Sequence, residues 1–88
     1  MEFWYIIIWD GYNEIDRHFI DISYSAQYMI DYCLKTFYGK NSPYEIFKDV
    51  VKDETMNINK EDEKENYDIY CTNHIPDISI EKRKIIKI

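Results

Sequence analysis

The chain has 88 residues, 45% of them hydrophobic and 17% aromatic, with seventeen acidic side chains against eleven lysines and arginines and a net charge of -6. A chain of this length is expected to make one domain that buries about 60 to 65% of its unfolded surface, which leaves little core from which to carve a catalytic cleft. The acidic balance excludes a general attraction to nucleic-acid phosphate and favours basic partners.

Phe3 to Trp9 is a continuous run of apolar and aromatic β-formers ended by Asp10-Gly11. It predicts a central strand covered on both faces, then a hairpin turn. The run begins with Glu2, lacks a basic leader and meets Asp10 too soon for a signal peptide, and no stretch approaches a membrane-spanning length, so the chain reads as cytoplasmic. Arg17 to Ile22 alternates as a second strand, with His18, Ile20 and Ile22 on one face and Arg17, Phe19 and Asp21 on the other. Tyr12 to Asp16 does not alternate and fits a wide loop or a bulged strand start.

Ser23 or Ser25 can cap a helix over Ala26 to Phe37 that stops at Gly39. Ala26, Met29, Ile30, Cys33, Leu34 and Phe37 fall on one stripe at spacings of three and four. Tyr24, Tyr28 and Tyr32 lie roughly opposite, with Asp31 and Lys35 between them, since a step of four residues advances only about 40° around the axis. Such a helix has one apolar face more than its own small core can use.

Ser42-Pro43-Tyr44-Glu45 signals a second helix, with Ile46, Phe47, Val50 and Val51 as its apolar face and an end near Lys52 or Asp53. Residues 54 to 66 hold few apolar side chains and read as an exposed, mobile acidic loop. Tyr67 to Cys71 alternates as a strand, Ile75-Pro76-Asp77 makes a turn, and Ile78 to Ile88 forms a last strand with a charged middle. The order ββααββ predicts a small α+β domain over residues 1–88, an antiparallel sheet of about four strands with two helices on one face. Lys82, Arg83, Lys84 and Lys87 near the end read first as protection of a sheet edge, ahead of pairing with the chain's own acids or touching a phosphate.

Sixteen isoleucines stand against one leucine, two valines and one alanine, a skew that tracks AT-rich codons. The number of tyrosines is discounted for the same reason; the placement of three of them on one helix face is not. His18 and His74 are the only histidines, and together with Cys71 and an aspartate they lack the regular ligand spacing of a metal site. Cys33 and Cys71 form no CxxC pair and read as reduced core residues. Asp10, Glu14, Asp16 and Asp21 read as a solvated rim, and the chain has neither a glycine-rich phosphate loop nor a serine nucleophile elbow. The expectation is therefore a protein without enzymatic activity, metal or cofactor.

Tyrosine brings large contact area at little rotamer entropy, and carboxylates around it steer toward lysine and arginine. Tyr24, Tyr28, Asp31, Tyr32 and Lys35, helped by Glu61, Asp62, Glu63 and Glu65 of the acidic loop, are the expected contact surface for a basic protein partner. A toxin or a nucleic-acid-processing enzyme fits, because carboxylates at suitable spacing stand in for phosphates in a groove built for nucleic acid. In size, acidity and AT-rich composition the chain resembles phage-borne inhibitors of bacterial defence, including anti-CRISPR proteins, and small immunity proteins. That resemblance is to a type of protein and assigns no residue a role; the acidity and the lack of a membrane-length stretch are what set aside direct nucleic-acid and membrane contact. Two alternatives stand beside it: a homodimer through the tyrosine ridge, and a small-ligand or nucleotide module using the aromatic residues of Phe3 to Trp9.

Overall fold

The computed structural model describes residues 2–50, 56–61, 65–71 and 77–84. The strands are β1 (Glu2–Asp10), β2 (Asn13–Asp21), β3 (Met56–Glu61), β4 (Asn66–Cys71) and β5 (Ile78–Lys84), with one helix, α1 (Ala26–Phe37), between β2 and β3. They form a single antiparallel sheet in the order β2-β1-β5-β4-β3. The α+β class is as expected; the described residues make five strands and one α-helix in place of four and two.

Asp10 pairs with Asn13 across a two-residue turn, and Gly11 has a φ of 60°, the glycine-first pattern of a type II′ hairpin. The register then slips: Trp9 faces Glu14 and Ile8 faces Asp16, leaving Ile15 as the extra residue of a bulge. Of the two readings of Tyr12 to Asp16, the bulged strand is the one that forms. On β1, Trp4, Ile6 and Ile8 face the helix and join the core with Ile69, Ile78, Ile80 and Tyr67. Tyr5 and Ile7 face the other way and are also buried. Among the described residues no helix or strand packs on that second face, and its cover comes from the sheet's own side chains. Phe19 lies 5.0 Å from the Phe3 ring and 5.1 Å from the Tyr5 ring, and the Arg83 guanidinium sits 4.6 Å above Tyr5.

The helix begins where expected, with Ser25 Oγ accepting a hydrogen bond from the Tyr28 N–H at 3.1 Å. Its apolar stripe, Met29, Ile30, Cys33, Leu34 and Phe37, is buried. It ends at Phe37, and Gly39, with a φ of 95°, turns the chain away. Over the described part of the expected second helix, residues 43–50, no α-helix forms: a 3-10 turn spans Glu45–Phe47, and Tyr44 before it is extended. Ser42 is already committed to another task. Its hydroxyl, buried, donates to the Phe37 carbonyl at 2.5 Å and accepts from the Tyr44 N–H at 3.0 Å, so it closes the end of α1 instead of opening a new helix. Phe47 supplies the buried anchor of the turn, Val50 packs partly against the core, Ile46 stays exposed, and Val51 lies outside the described residues.

The expected acidic loop is corrected in part as well. Met56–Glu61 pairs residue by residue with Asn66–Cys71 as the second edge of the sheet. Asparagines and a lysine hid it, because they disfavour strand on propensity scales yet suit an edge that must not recruit another strand. The last strand, expected at an edge, lies in the middle between β1 and β4. Its cations pair with acids: Lys82 Nζ is 3.1 Å from Glu65 and 3.9 Å from Glu2, Lys84 Nζ is 3.7 Å from Glu2, and Arg83 pairs with Glu81. Lys87, the Ile75-Pro76 turn and the expected continuation to Ile88 lie outside the described residues.

Because Ser42 satisfies two backbone groups at once, Ser42→Ala leaves a carbonyl and an N–H short of partners. The expected cost is about 1 to 3 kcal/mol, read in thermal unfolding as a Tm lower by about 4 to 8 °C for each kcal/mol. An unchanged Tm would show that the helix end does not depend on this hydroxyl.

Candidate functional site

The helix that closes the core also carries the candidate surface. Tyr24, just before the cap, and Tyr28 stack with ring centroids 4.4 Å apart and planes 11° apart, and Tyr28 continues to Tyr32 at 6.4 Å and 13°. The spacing of four residues makes the rings successive rungs of one ladder. Tyr24 and Tyr28 are 43% and 47% exposed. Tyr32 is half-buried, packed against the core with its ring edge-on to Phe37 at 5.7 Å. The ridge therefore has two exposed rings and a third that anchors it.

Asp31 lies beside the rings, its Oδ1 accepting from Gln27 Nε2 at 3.1 Å one helical turn earlier. Asp31 and Lys35 border two clefts. One of about 460 Å³ is lined by Tyr28, Asp31, Tyr32, Lys35 and Thr36. The other, of about 410 Å³, is lined by Asp31, Leu34, Lys35, Tyr38, Gly39 and Val50. The arrangement presents flat aromatic area with one carboxylate and one ammonium at its border, which is chemistry for contact and orientation.

The acids expected to assist are placed unevenly. Glu65 sits in the left-handed region at a φ of 53°, which costs about 1 to 2 kcal/mol for a side-chain-bearing residue. Its carboxylate meets Lys82, whose ammonium lies 5.9 Å over the Trp4 ring. Trp4 in turn donates its indole N–H to the Tyr24 carbonyl at 2.8 Å, so this acid is joined to the Tyr24 end of the ridge through packed contacts. Glu61 belongs to β3, and Asp62 and Glu63 lie outside the described residues.

The tryptophans proposed for ligand contact are engaged within the fold: Trp4 is buried, and Trp9 donates to Ser79 Oγ at 3.1 Å. Cys33 is a free, buried thiol, and burial pushes its pKa up to about 12, which removes the thiolate needed for reactivity. His74 and the Cys71 side chain lie outside the described residues. Among the described residues no three histidine, cysteine, aspartate or glutamate side chains gather as a metal would require. No described helix is long and apolar enough to cross a membrane.

A polar cluster absent from the sequence reading lies at the opposite end of the helix. Tyr44 donates its phenol to Asp16 Oδ2 at 2.7 Å and lies 2.7 Å from His18 Nε2. A carboxylate can only accept, so the phenol proton points to Asp16 and the imidazole donates from Nε2 to the phenol oxygen. His18 stacks on Phe37 at 5.3 Å, and its Nε2 is 3.4 Å from Asp16. The cluster ties the 3-10 turn to β2. Asp16 and His18 share a strand face two residues apart, a legible signal, but the third member comes from 28 residues further on.

The Tyr44 phenol, then the Arg17 N–H, and last the His18 ring hold the Asp16 carboxyl below its ordinary value of 3.8. Burial and the same carboxylate push the Tyr44 phenol up. A carboxyl with a lowered folded pKa contributes stability that is present above its unfolded value and lost as pH falls through the lowered one. In Tyr44→Phe the Asp16 carboxyl is expected to titrate closer to 3.8, and the acid limb of the stability curve to flatten accordingly. An NMR titration of the carboxyl carbon checks this; an identical midpoint in both proteins would remove the phenol as the cause.

Comparison of the chain with protein-family models, with curated proteins and with solved structures finds no match.

Proposed function

We propose that the chain is a non-enzymatic binding protein that occupies a basic site on another protein, with Tyr24 and Tyr28 as anchors, Tyr32 as their support and Asp31 as the orienting charge. The observation that carries this reading is the stacked tyrosine ladder, whose two outer rings, Tyr24 and Tyr28, are left exposed while Tyr32 packs against the core. Stacked rings have already surrendered rotamer freedom, so less entropy is lost when a partner covers them. The phenol groups accept and donate at the ends of apolar plates, which suits lysine and arginine by cation–π contact and by hydrogen bonding.

Charge supports the same partner class. Arg17, Lys48, Lys82, Arg83 and Lys84 all sit within ion-pair distance of acids of the chain itself. A phosphate polymer would have to displace those carboxylates, whereas a basic protein groove meets a net charge of -6. Inhibition of a nucleic-acid-processing enzyme or neutralisation of a toxin are the two activities that suit such a surface.

The test is a pull-down from lysate of the source organism with the native protein and with Tyr24→Ala/Tyr28→Ala, washed at low and high salt. Tyr32 is left in place because its ring supports Phe37. A basic protein held by the native chain is expected to be lost with the double substitution, since two hot-spot tyrosines are worth about 2 kcal/mol or more each, roughly thirtyfold in affinity apiece. Association with that partner should slow as salt rises. Equal capture by a well-folded double variant sinks the ridge as the contact surface.

A further inference from the structure

The two edges of the sheet are unlike. β3 is six residues long and sets Asn57, Asn59 and Lys60 around its one exposed isoleucine, Ile58, a mostly polar finish that keeps an edge from recruiting another strand. β2 is nine residues long and carries Phe19 at 64% exposure and Ile15 at 46%. The backbone of β2 shows which groups are open. A two-residue hairpin makes Asp10 and Asn13 a hydrogen-bonded pair, and alternation beyond the bulge leaves Arg17, Phe19 and Asp21 with both backbone groups turned away from β1. The Arg17 N–H agrees with this: it is taken by the neighbouring Asp16 Oδ1 at 2.8 Å.

We propose that β2 pairs with β2 of a second copy of this chain, antiparallel about a two-fold axis at Phe19, to make one continuous ten-stranded sheet. The register follows from the side chains. An axis at Arg17 sets two guanidiniums against each other, and an axis at His18 opposes two imidazoles and places Asp16 against Ile20. An axis at Phe19 places the two exposed phenyl rings together, Arg17, which also pairs with Glu14 of its own strand, opposite Asp21 on both sides of them, and His18 opposite Ile20 on the helix side. Cross-strand opposite charges and aromatic pairs are the favourable combinations in antiparallel sheets. The bulge at Ile15 ends regular pairing on one side, so the contact spans Arg17–Asp21 of each copy. Phe19 exchanges both of its backbone hydrogen bonds with its counterpart, and the Asp21 N–H reaches the Arg17 carbonyl. Such a contact is isologous and closes at two subunits, because each copy has one such edge. The tyrosine ridge on α1 takes no part, which makes this inference independent of the partner proposed above.

Sedimentation velocity from micromolar to submillimolar concentration reads the result. A reversible dimer is expected for the native protein, and Phe19→Lys and Arg17→Asp are each expected to weaken it at least about tenfold with the circular dichroism spectrum unchanged. Arg17→Asp combined with Asp21→Arg restores the opposite charges across the axis and is expected to recover the dimer, which a merely unfolded variant would not do. Amide exchange adds a local reading, since the Phe19 N–H becomes protected only as the dimer forms. A native chain that stays monomeric throughout overturns the proposal. So does a dimer that survives Phe19→Lys, or one abolished instead by Tyr24→Ala/Tyr28→Ala, which would move self-association to the ridge.

Discussion

The sheet is continuous only through its last strand. β1 and β2 form one hairpin, β3 and β4 another, and no ladder joins them directly; β5 lies between and bonds to both. Ile78 and Ile80, fully buried, therefore decide whether two hairpins become one core. An isolated two-stranded hairpin is marginal in water, so neither half has an independent reason to persist. The pairing of β1 with β5 also makes contacts of high sequence separation, which slows folding.

Within that frame one 12-residue helix must cover the apolar face of five strands. It does so with a full stripe of buried residues and with help from Tyr38, Tyr44 and Phe47 at its C-terminal end. The 3-10 turn is held there by rings, Tyr38 on Phe47 at 4.7 Å and Tyr44 on Phe37 at 5.6 Å, and by the Asp16–Tyr44–His18 cluster. Aromatic residues thus substitute for a second helix. The outer tyrosines are a different matter: Tyr24 and Tyr28 stack on each other rather than on the core, and their exposure leaves about half of each ring's capacity for contact unspent within the chain.

The parts that were legible in the sequence rest on local periodicity. The Phe3–Trp9 strand, the Asp10-Gly11 turn, the cap at Ser25 and the stripe of α1 each show their pattern within a dozen residues. The failures are tertiary. Ser42-Pro43 carries a helix-start signal worth about 1 kcal/mol, yet the same hydroxyl bonds the Phe37 carbonyl and Tyr44 is drawn off to Asp16, 28 residues away. Met56–Glu61 alternates weakly and is a strand because β4 supplies the ladder. The placing of the ridge on α1 follows from the helical period, whereas the depth at which Tyr32 sits does not, since that depends on Phe37 and the turn beyond it.

Charge explains how such an acidic chain holds a sheet together. Cations are few, and those of β5 stand where strand ends would otherwise bring Glu2, Glu65 and Glu81 close to one another. Each surface pair is worth at most about 1 kcal/mol, so their main effect is to cancel repulsion at the sheet's crowded end. Among the described residues, the charged side chains lining the cleft beside Tyr28 and Tyr32 are Asp31 and Lys35. In the role proposed for the ridge, stacked phenols with little fixed charge beside them would take specificity from the long-range field of the whole molecule and holding power from the rings. Those are separable quantities, one governing the rate of encounter and the other the lifetime of the complex.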